Sequence, residues 1–519
     1  MPKRTIAPAL LLPPREAGEP AQRWLCAALR AEILEGRLGP GARLPASRDL
    51  ARQAGVARGT AVAAFEQLQA EGYVQGTVGS GTYVTGTLPD SLLQVARTAR
   101  SPGRDRSTGQ RPRAEHAPPR CFSAFGRRVQ PFPSSTPGPP RAFRTDMPAL
   151  DLFPMALWAQ LTARRVRRAS AGLLAGCGPL GYPPLQEAVA AYLGTARGVR
   201  CAPGQVAIVA GVQQALDLAA RLLLDPGDRV AMEDPGYIGA ALVFQAAGAR
   251  ISALPLDGQG LILPGARLRG VKLAYVTPAH QFPLGVAMSL ARRLALLEWA
   301  RRTGALIFED DYDGEYRYAG RSLPALQGLD RASSAGSTHS VLFAGSFSKV
   351  MFPALRLGYL VVPPDLVDRV AAALSLATRH APLLEQAVLC DFLAEGHFGR
   401  HVRRMREVYA ERLGVLLEGA RERLAGLLEI TGVEAGLQTA GWLAEGIDEA
   451  AAAVAAARRN VEVTPLSRYV QTGQPGQSER AGQPGRPGLQ LGFAAVDPAE
   501  IRRGVRELAA ALDEVRPAR

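Results

Sequence analysis

The sequence predicts two domains of different class: a small α+β unit at the front and a large α/β domain on a mostly parallel sheet behind it. Three observations carry this. At 519 residues the chain is too long for one ordinary core, at about 150 residues per domain. Residues 20–86 follow helical periodicity and close on two short β-rich runs. From about residue 146 onward, apolar strands alternate with helical patterns, as βαβ units do. The intervening residues 87–145, which include "SPGRDRSTGQRPRAEHAPPR", are rich in Pro, Ser and Arg without periodicity and read as a semi-extended linker. Residues 1–19 form a Pro-broken tail, and 471–488, "QTGQPGQSERAGQPGRPG", reads as a disordered surface insertion.

Composition narrows the class. With 47% hydrophobic and 21% charged residues the chain is that of a soluble globular protein. No uncharged apolar run reaches the length of a membrane span, and the N-terminus is too broken by proline for a signal peptide. The five cysteines, Cys26, Cys121, Cys177, Cys201 and Cys390, form no CxxC pair and no His/Cys cluster. That points to a reducing cytoplasm and away from a structural zinc. The net charge of +14 is uneven: residues 1–145 hold 21 basic and 10 acidic side chains, the remainder 40 and 37. A basic front suggests a polyanion partner, although much of the excess lies in 87–145, where it also serves to solvate a linker.

In the front unit, "QRWLCAALRAEILEGRLGPGARLP" gives a helix with Leu25, Ala28, Leu29 and Ile33 on one face, ended by Gly36. "ASRDLARQAGV" places Ser47 as N-cap of a second helix, Asp49 in its first turn and Gly55 just past its end. A third helix starts near Arg58, with Ala61, Phe65 and Leu68 facing inward, and "YVQGTVGSGTYVT" is a hairpin turning at Gly79-Ser80-Gly81. Helix, turn, helix and hairpin make a winged helix-turn-helix. It brings Arg58, Gly59 and Thr60 to the start of a recognition helix, Arg48 to phosphate and the tip Gly79–Thr82 to the minor groove or backbone. The same geometry also serves small docking domains whose arginines are only solvated.

In the large domain several apolar runs end in chemically capable residues. "VAIVAG" enters a helix through Gly211, so the amides of Gly211, Val212 and Gln213 can hold an anion. Other runs end at Tyr237, at His280, at Glu309 to Tyr312, and at Ser346, Ser348 and Lys349. In a parallel α/β sheet the C-terminal strand ends share one edge, so these residues converge. Lys349 stands out because the chain has only three lysines, Lys3, Lys272 and Lys349, and writes arginine everywhere else. A guanidinium cannot lose its proton and bond a carbonyl carbon, whereas a lysine amine can form a Schiff base. Asp310 can keep a pyridine nitrogen protonated, Tyr312 can bond the ring oxygen and Tyr237 can stack on the ring. Ser346, Ser348, Arg356 and the Gly211 helix end can take a phosphate. That set matches the requirements of pyridoxal 5′-phosphate.

Two resemblances sharpen this reading. "GRLGPGARLPASRDLARQAGVARGTAVAAFEQLQAEGYVQGTVGSGTYV" resembles the DNA-binding domain of GntR-type regulators. The resemblance implies contacts to double-stranded DNA by Arg48, Arg58, Thr60 and Gly81. Ala57 departs from the family's usual capping serine, a loss of about 1 kcal/mol of local stability. The motifs "EDPGY", "TPAHQFPLG", "EDDYDGEYRY" and "SFSKVMFPALRLGYLV" resemble fold-type I aminotransferases, and most closely the aminotransferase-like half of MocR regulators. By that resemblance Lys349 is the Schiff-base lysine, Asp310 the pyridine-nitrogen partner, Tyr312 the O3′ partner and Tyr237 the stacking ring. Ser346 and Arg356 are phosphate ligands, and His280 belongs to the motif lining the ring. The resemblance also implies a homodimer, head-to-tail in MocR relatives.

One departure bears on activity. Amino-acid aminotransferases carry an arginine for the substrate carboxylate in a C-terminal "RLSF"-like strand, whereas this chain reads "GLQLGF", with Gln490 at that place. A neutral amide cannot make the bidentate pair. Two readings follow: a DNA-binding regulator that senses pyridoxal phosphate, or an amine reacting with it, through a Lys349 aldimine; and a working aminotransferase with a DNA-binding arm.

Overall fold

The structure is a computed structural model and describes residues 10, 12–15, 18–77, 81–86, 121–133, 138–318, 324–330, 339–430, 434–471 and 486–517. It divides into two compact units, Met1–Ala117 and Pro118–Arg519. Among the described residues no helix is long and apolar enough to cross a membrane.

The small unit contains α1 (Ala21–Leu34), α2 (Ser47–Ala54), α3 (Arg58–Ala70), β1 (Val74–Thr77) and β2 (Gly81–Val84). The apolar stripe of α1 (Leu25, Leu29 and Ile33) shares one core with Leu50 of α2 and with Ala61, Ala64 and Leu68 of α3. Each of the larger members contributes about 1.5–3 kcal/mol by leaving water. Gly55 closes α2 in the left-handed conformation, φ 64°, and turns the chain directly into α3. The strands β1 and β2 pair antiparallel with Val74 opposite Val84, and the chain at Ala42–Leu44 adds bonds to β2. The expected tip residues 79 and 80 lie outside the described residues. Two details differ from the sequence expectation. Helix α2 begins at Ser47 with Ala46 as its N-cap, because the amides of Asp49 and Leu50 both close on the Ala46 carbonyl. Ala64 takes the inward position on α3, and Phe65 is half-buried beside it.

The large unit is built on seven strands: β3 (Val206–Val209), β4 (Arg229–Glu233), β5 (Arg250–Leu254), and, after the small hairpin β6 (Leu256–Asp257) and β7 (Gly260–Leu261), β8 (Val271–Val276), β9 (Leu306–Asp311), β10 (Val341–Ser346) and β11 (Gly358–Val361). Their order is β3-β11-β10-β9-β8-β4-β5. Only β11 runs against the rest. Helices cover both faces, so the central strands are mostly apolar and alternate between cores. Leu273, Tyr275, Phe308 and Leu342 face one core; Ala274, Val276, Ile307 and Val341 face the other. A four-stranded antiparallel sheet, β12 (Leu428–Ile430), β13 (Gln438–Leu443), β14 (Thr464–Pro465) and β15 (Gly488–Gly492), forms the C-terminal part in the order β12-β13-β15-β14.

The expected linker 87–145 is corrected at its C-terminal end. Residues 121–133 and 138–145 pack on the large unit: Arg128 Nε donates to the Ala246 carbonyl at 3.0 Å, and Ala142 and Phe143 are fully buried. The Phe143 carbonyl accepts the Gly492 amide, and Arg144 pairs with Glu462 at 2.6 Å. Periodicity missed this because the contacts are made by single residues, with no repeating face. Of the expected insertion, 472–485 lies outside the described residues, while Gln471 donates to Asp234 and Gly488 already opens β15. Phe143→Ala should lower the stability of the large unit by about 3–5 kcal/mol in denaturant unfolding, as a core truncation does; a linker residue would give no change.

Candidate functional site

The edge rule places the site. All strands of the large sheet except β11 end on one side, and β11 starts there, so Arg356, two residues before it, arrives at the same edge. A cavity of about 620 Å³ opens at that edge. It is lined by Gly211, Val212, Gln213, Tyr237, Asp310, Tyr312, Ser346, Ser348, Lys349 and Arg356, residues spread over more than a hundred positions of sequence. Ten of the eleven expected cofactor residues are thereby brought together. His280 is the exception: it is buried behind the wall and reaches the cavity only through Tyr312, whose hydroxyl lies 2.9 Å from its Nδ1. The same nitrogen lies 3.0 Å from Asp313 Oδ2, so the imidazole and carboxylate brace the phenol from behind.

Strand alternation sorts the three acids that end β9. Glu309 turns away and accepts the amides of Leu326 and Gln327. Asp311 also turns away and forms a buried bidentate pair with Arg197, at 2.6 and 2.9 Å. Asp310 alone faces the cavity. Its Oδ2 accepts the Tyr275 hydroxyl at 2.7 Å, while Oδ1 is buried with no hydrogen-bond partner among the described residues. Burial pushes its pKa up to about 7, against the pull of the Tyr275 hydroxyl, and the charge of Asp311 pushes the same way.

The opposite end of the cavity suits an anion. Gly211, at φ 102°, caps the helix Val212–Leu223, and the Arg356 guanidinium lies close enough that a Cβ on Gly211 would meet its Nη2 at 3.6 Å. A side chain there would be strained by the positive φ, and its Cβ would rest in ordinary contact with the guanidinium. The Ser348 amide donates to Ser346 Oγ at 3.1 Å, and Ser348 Oγ is buried without a partner among the described residues. Above the cavity floor Tyr237 is held edge-on to Phe282, with ring centroids 5.6 Å apart. Burial also raises its phenol far above the ordinary value, so it stays protonated.

These residues fit pyridoxal 5′-phosphate on structural grounds. The orphaned Asp310 oxygen wants a hydrogen-bond donor such as a protonated ring nitrogen. The orphaned Ser348 hydroxyl, the arginine and the helix N-terminus want an anion. Four neighbours went unread in the sequence: Tyr275, Asp146, Asp313 and Tyr469. Tyr275 was legible in principle, because it pairs with Phe308 and so shares a face with Asp310 two residues on. Asp146, which meets Lys349 across 203 positions, carried no signal.

In the small unit Arg48 and Arg58 are exposed, with no ion pair among the described residues, and Thr60 is half-buried in the first turn of α3. Gly81 opens β2 at φ 118°, where a Cβ would meet Arg43 Nε at 3.0 Å.

Comparison with known proteins agrees with both halves. Residues 22–84 match the model of bacterial regulatory proteins of the gntR family, and 150–508 match aminotransferase class I and II. Over 97% of its length, and 96% of the relative's, the chain is 39% identical to the probable rhizopine catabolism regulatory protein MocR of Rhizobium meliloti. The chain belongs to the MocR subfamily of GntR-type transcriptional regulators. Like other MocR proteins it joins a DNA-binding head to a pyridoxal-phosphate domain. The pyridoxine biosynthesis regulator PdxR of Corynebacterium glutamicum is 30% identical over 79% of the chain and 80% of its own. Among solved structures, the α-aminoadipate aminotransferase LysN of Thermus thermophilus, complexed with N-(5′-phosphopyridoxyl)-L-leucine, is 30% identical. It covers 72% of this chain and 92% of its own, with a TM-score of 0.64.

The Asp310 environment sets a pH dependence for the cofactor-free protein. A carboxyl whose folded pKa is raised stabilises the native state in its protonated form; that contribution is complete below about pH 4 and is lost as pH climbs through about 7. Asp310→Asn removes the buried charge. In thermal unfolding without added cofactor it should match the wild type near pH 4 and gain on it by up to about 4 kcal/mol at pH 8.

Proposed function

We propose that this MocR protein is a cytoplasmic regulator whose large domain senses pyridoxal 5′-phosphate, or a primary amine that reacts with it, through Lys349. The observation that carries the proposal is the unpaired Asp310 oxygen facing the same cavity as the Lys349 amine and the unpaired Ser348 hydroxyl. When bound, the cofactor supplies an aldehyde for covalent attachment and a ring that withdraws electrons. The residues do the rest. Asp310 would hold a proton on the ring nitrogen, Tyr312, with His280 and Asp313 behind it, would donate to the ring oxygen, and Tyr237 would cover a ring face. Ser346, Ser348, Arg356 and the amides of Gly211, Val212 and Gln213 take the phosphate. Lys349 would supply the amine for the aldehyde.

In the small unit Arg58 and Thr60 read base edges in the major groove, Arg48 takes phosphate and Gly81 lets the wing approach the backbone. The working form is a homodimer, head-to-tail as the MocR resemblance implies, whose two heads read repeated half-sites. Attachment at Lys349 shifts the large domain between two states, and a ligand does so only by binding one of them better.

The second reading, an aminotransferase with a DNA-binding arm, draws on the same lysine and aspartate. Against it stands Gln490, fully buried, whose Oε1 accepts the Tyr469 hydroxyl at 2.7 Å. A buried neutral amide closed off by a tyrosine offers an amino-acid carboxylate no bidentate partner. Visible absorption separates the two. With added cofactor the wild type should show the band of lysine-bound pyridoxal phosphate and Lys349→Ala should not; amino acids should leave that band in place. Its conversion to the pyridoxamine spectrum would establish the enzyme instead. On DNA, Arg58→Ala should weaken operator binding by about 1–3 kcal/mol and relax base preference. An equal loss on every sequence would assign Arg58 to phosphate.

A further inference from the structure

Lys349 is already engaged in the structure. Its Nζ donates to Asp146 Oδ1 at 2.7 Å and to the Asp146 carbonyl at 3.0 Å. Asp146 is placed for this with effort. Its φ of 64° lies in the left-handed region, which Asp tolerates better than most non-glycine residues but which still carries strain. Its amide donates to Gln438 Oε1 at 2.8 Å, clamping the strained residue to β13. The neighbouring Phe143, also at positive φ, is locked in the core, and Arg144, Thr145 and Met147 line the same cavity. Strain that surrounding contacts over-determine, at the wall of a ligand site, marks a residue with a task there.

We propose that Asp146 is the resident counter-ion of Lys349, and that a carbonyl ligand must displace it to reach the amine. This rests on the reading of Lys349 as the aldehyde-bonding residue. Two hydrogen bonds to Asp146 fix where the Lys349 amine points, so its approach to a carbonyl carbon begins with release from both oxygens. Asp146 is thus a positioning residue: it parks the amine at the cavity and sets the threshold that an aldehyde has to exceed. Residues 143–147 have two states, bonded to Lys349 or released from it, and their exchange behaviour follows occupancy of the site.

The test titrates full-length wild type, Asp146→Asn and Asp146→Gly with pyridoxal 5′-phosphate, read by visible absorbance. Glycine accepts a φ of 64° without strain, so it keeps the backbone even where asparagine does not. Both variants should bind about fivefold more tightly, equivalent to roughly 1 kcal/mol for a partly exposed pair. Hydrogen exchange supplies a second readout. Amides of residues 143–147 should exchange faster on ligand addition in the wild type and respond less to ligand in the variants, which keep only the backbone carbonyl and no carboxylate. Unchanged or weaker binding by both variants, beside a wild type that binds, would overturn the role of Asp146 alone. A wild type with no visible band would instead remove the cofactor reading and this proposal with it.

Discussion

The Asp310 carboxylate is buried with one oxygen on Tyr275 and the other on nothing among the described residues, and a fold keeps such a group only where its surroundings leave no alternative. β9 lies at the centre of the large sheet, paired in parallel with β8 and β10, so its backbone has no freedom to swing the aspartate to solvent. The alternation of that strand then forces its neighbours outward, where Asp311 finds Arg197 and Glu309 finds two backbone amides. Three consecutive acids are thus separated into two satisfied and one waiting. The cofactor site follows from this sorting, because the only unsatisfied carboxylate of the three is the one at the crevice.

Charge organises the remainder of the cavity. Arg356 and the N-terminus of the helix Val212–Leu223 make one end favourable to an anion, and Asp310 makes the other favourable to a cation or a hydrogen-bond donor. A ligand with a phosphate at one end and a basic ring nitrogen at the other meets both at once. Lys349 enters from the loop after β10, within reach of neither as a partner, and the structure pairs it with Asp146. The amine is therefore held at the cavity by a residue that lies ahead of the large sheet in the sequence.

Much of this was legible in the sequence because it depends on strand ends. Apolar runs closing on Gly211, Asp310 or Lys349 announce themselves, and the parallel topology that gathers them is set by the alternation of strand and helix. The contact of His280 is not legible for a simple reason: a residue at a strand end can face the ligand or stand behind the residue that does, and the motif does not say which. Asp146 was out of reach altogether, since its role arises from a long-range contact and a left-handed backbone that no local pattern encodes. The same holds for Ala142 and Phe143, read as linker and found in the core. In the small unit the helices and hairpin were legible in order, while Ala64 rather than Phe65 took the inward place on α3 and the start of α2 shifted by one residue because backbone bonding to Ala46 decides it.

The separation between sensor and catalyst comes down to what the site can hold besides the cofactor. Transamination needs a second ligand anchored by its carboxylate while its α-carbon sits over the ring, and that anchor is a cation. On β15 the corresponding residue is Gln490, buried, capped by Tyr469, and with its Nε2 donating to nothing among the described residues. Bringing a carboxylate to it would require moving Tyr469, which packs on Phe282 at 5.0 Å, and Phe282 in turn holds Tyr237. The aromatic packing that positions Tyr237 at the cavity is therefore continuous with the packing that holds Tyr469 on Gln490. A chain arranged in this way keeps an amine at the cavity and, at Gln490, a neutral amide that offers a carboxylate no bidentate partner.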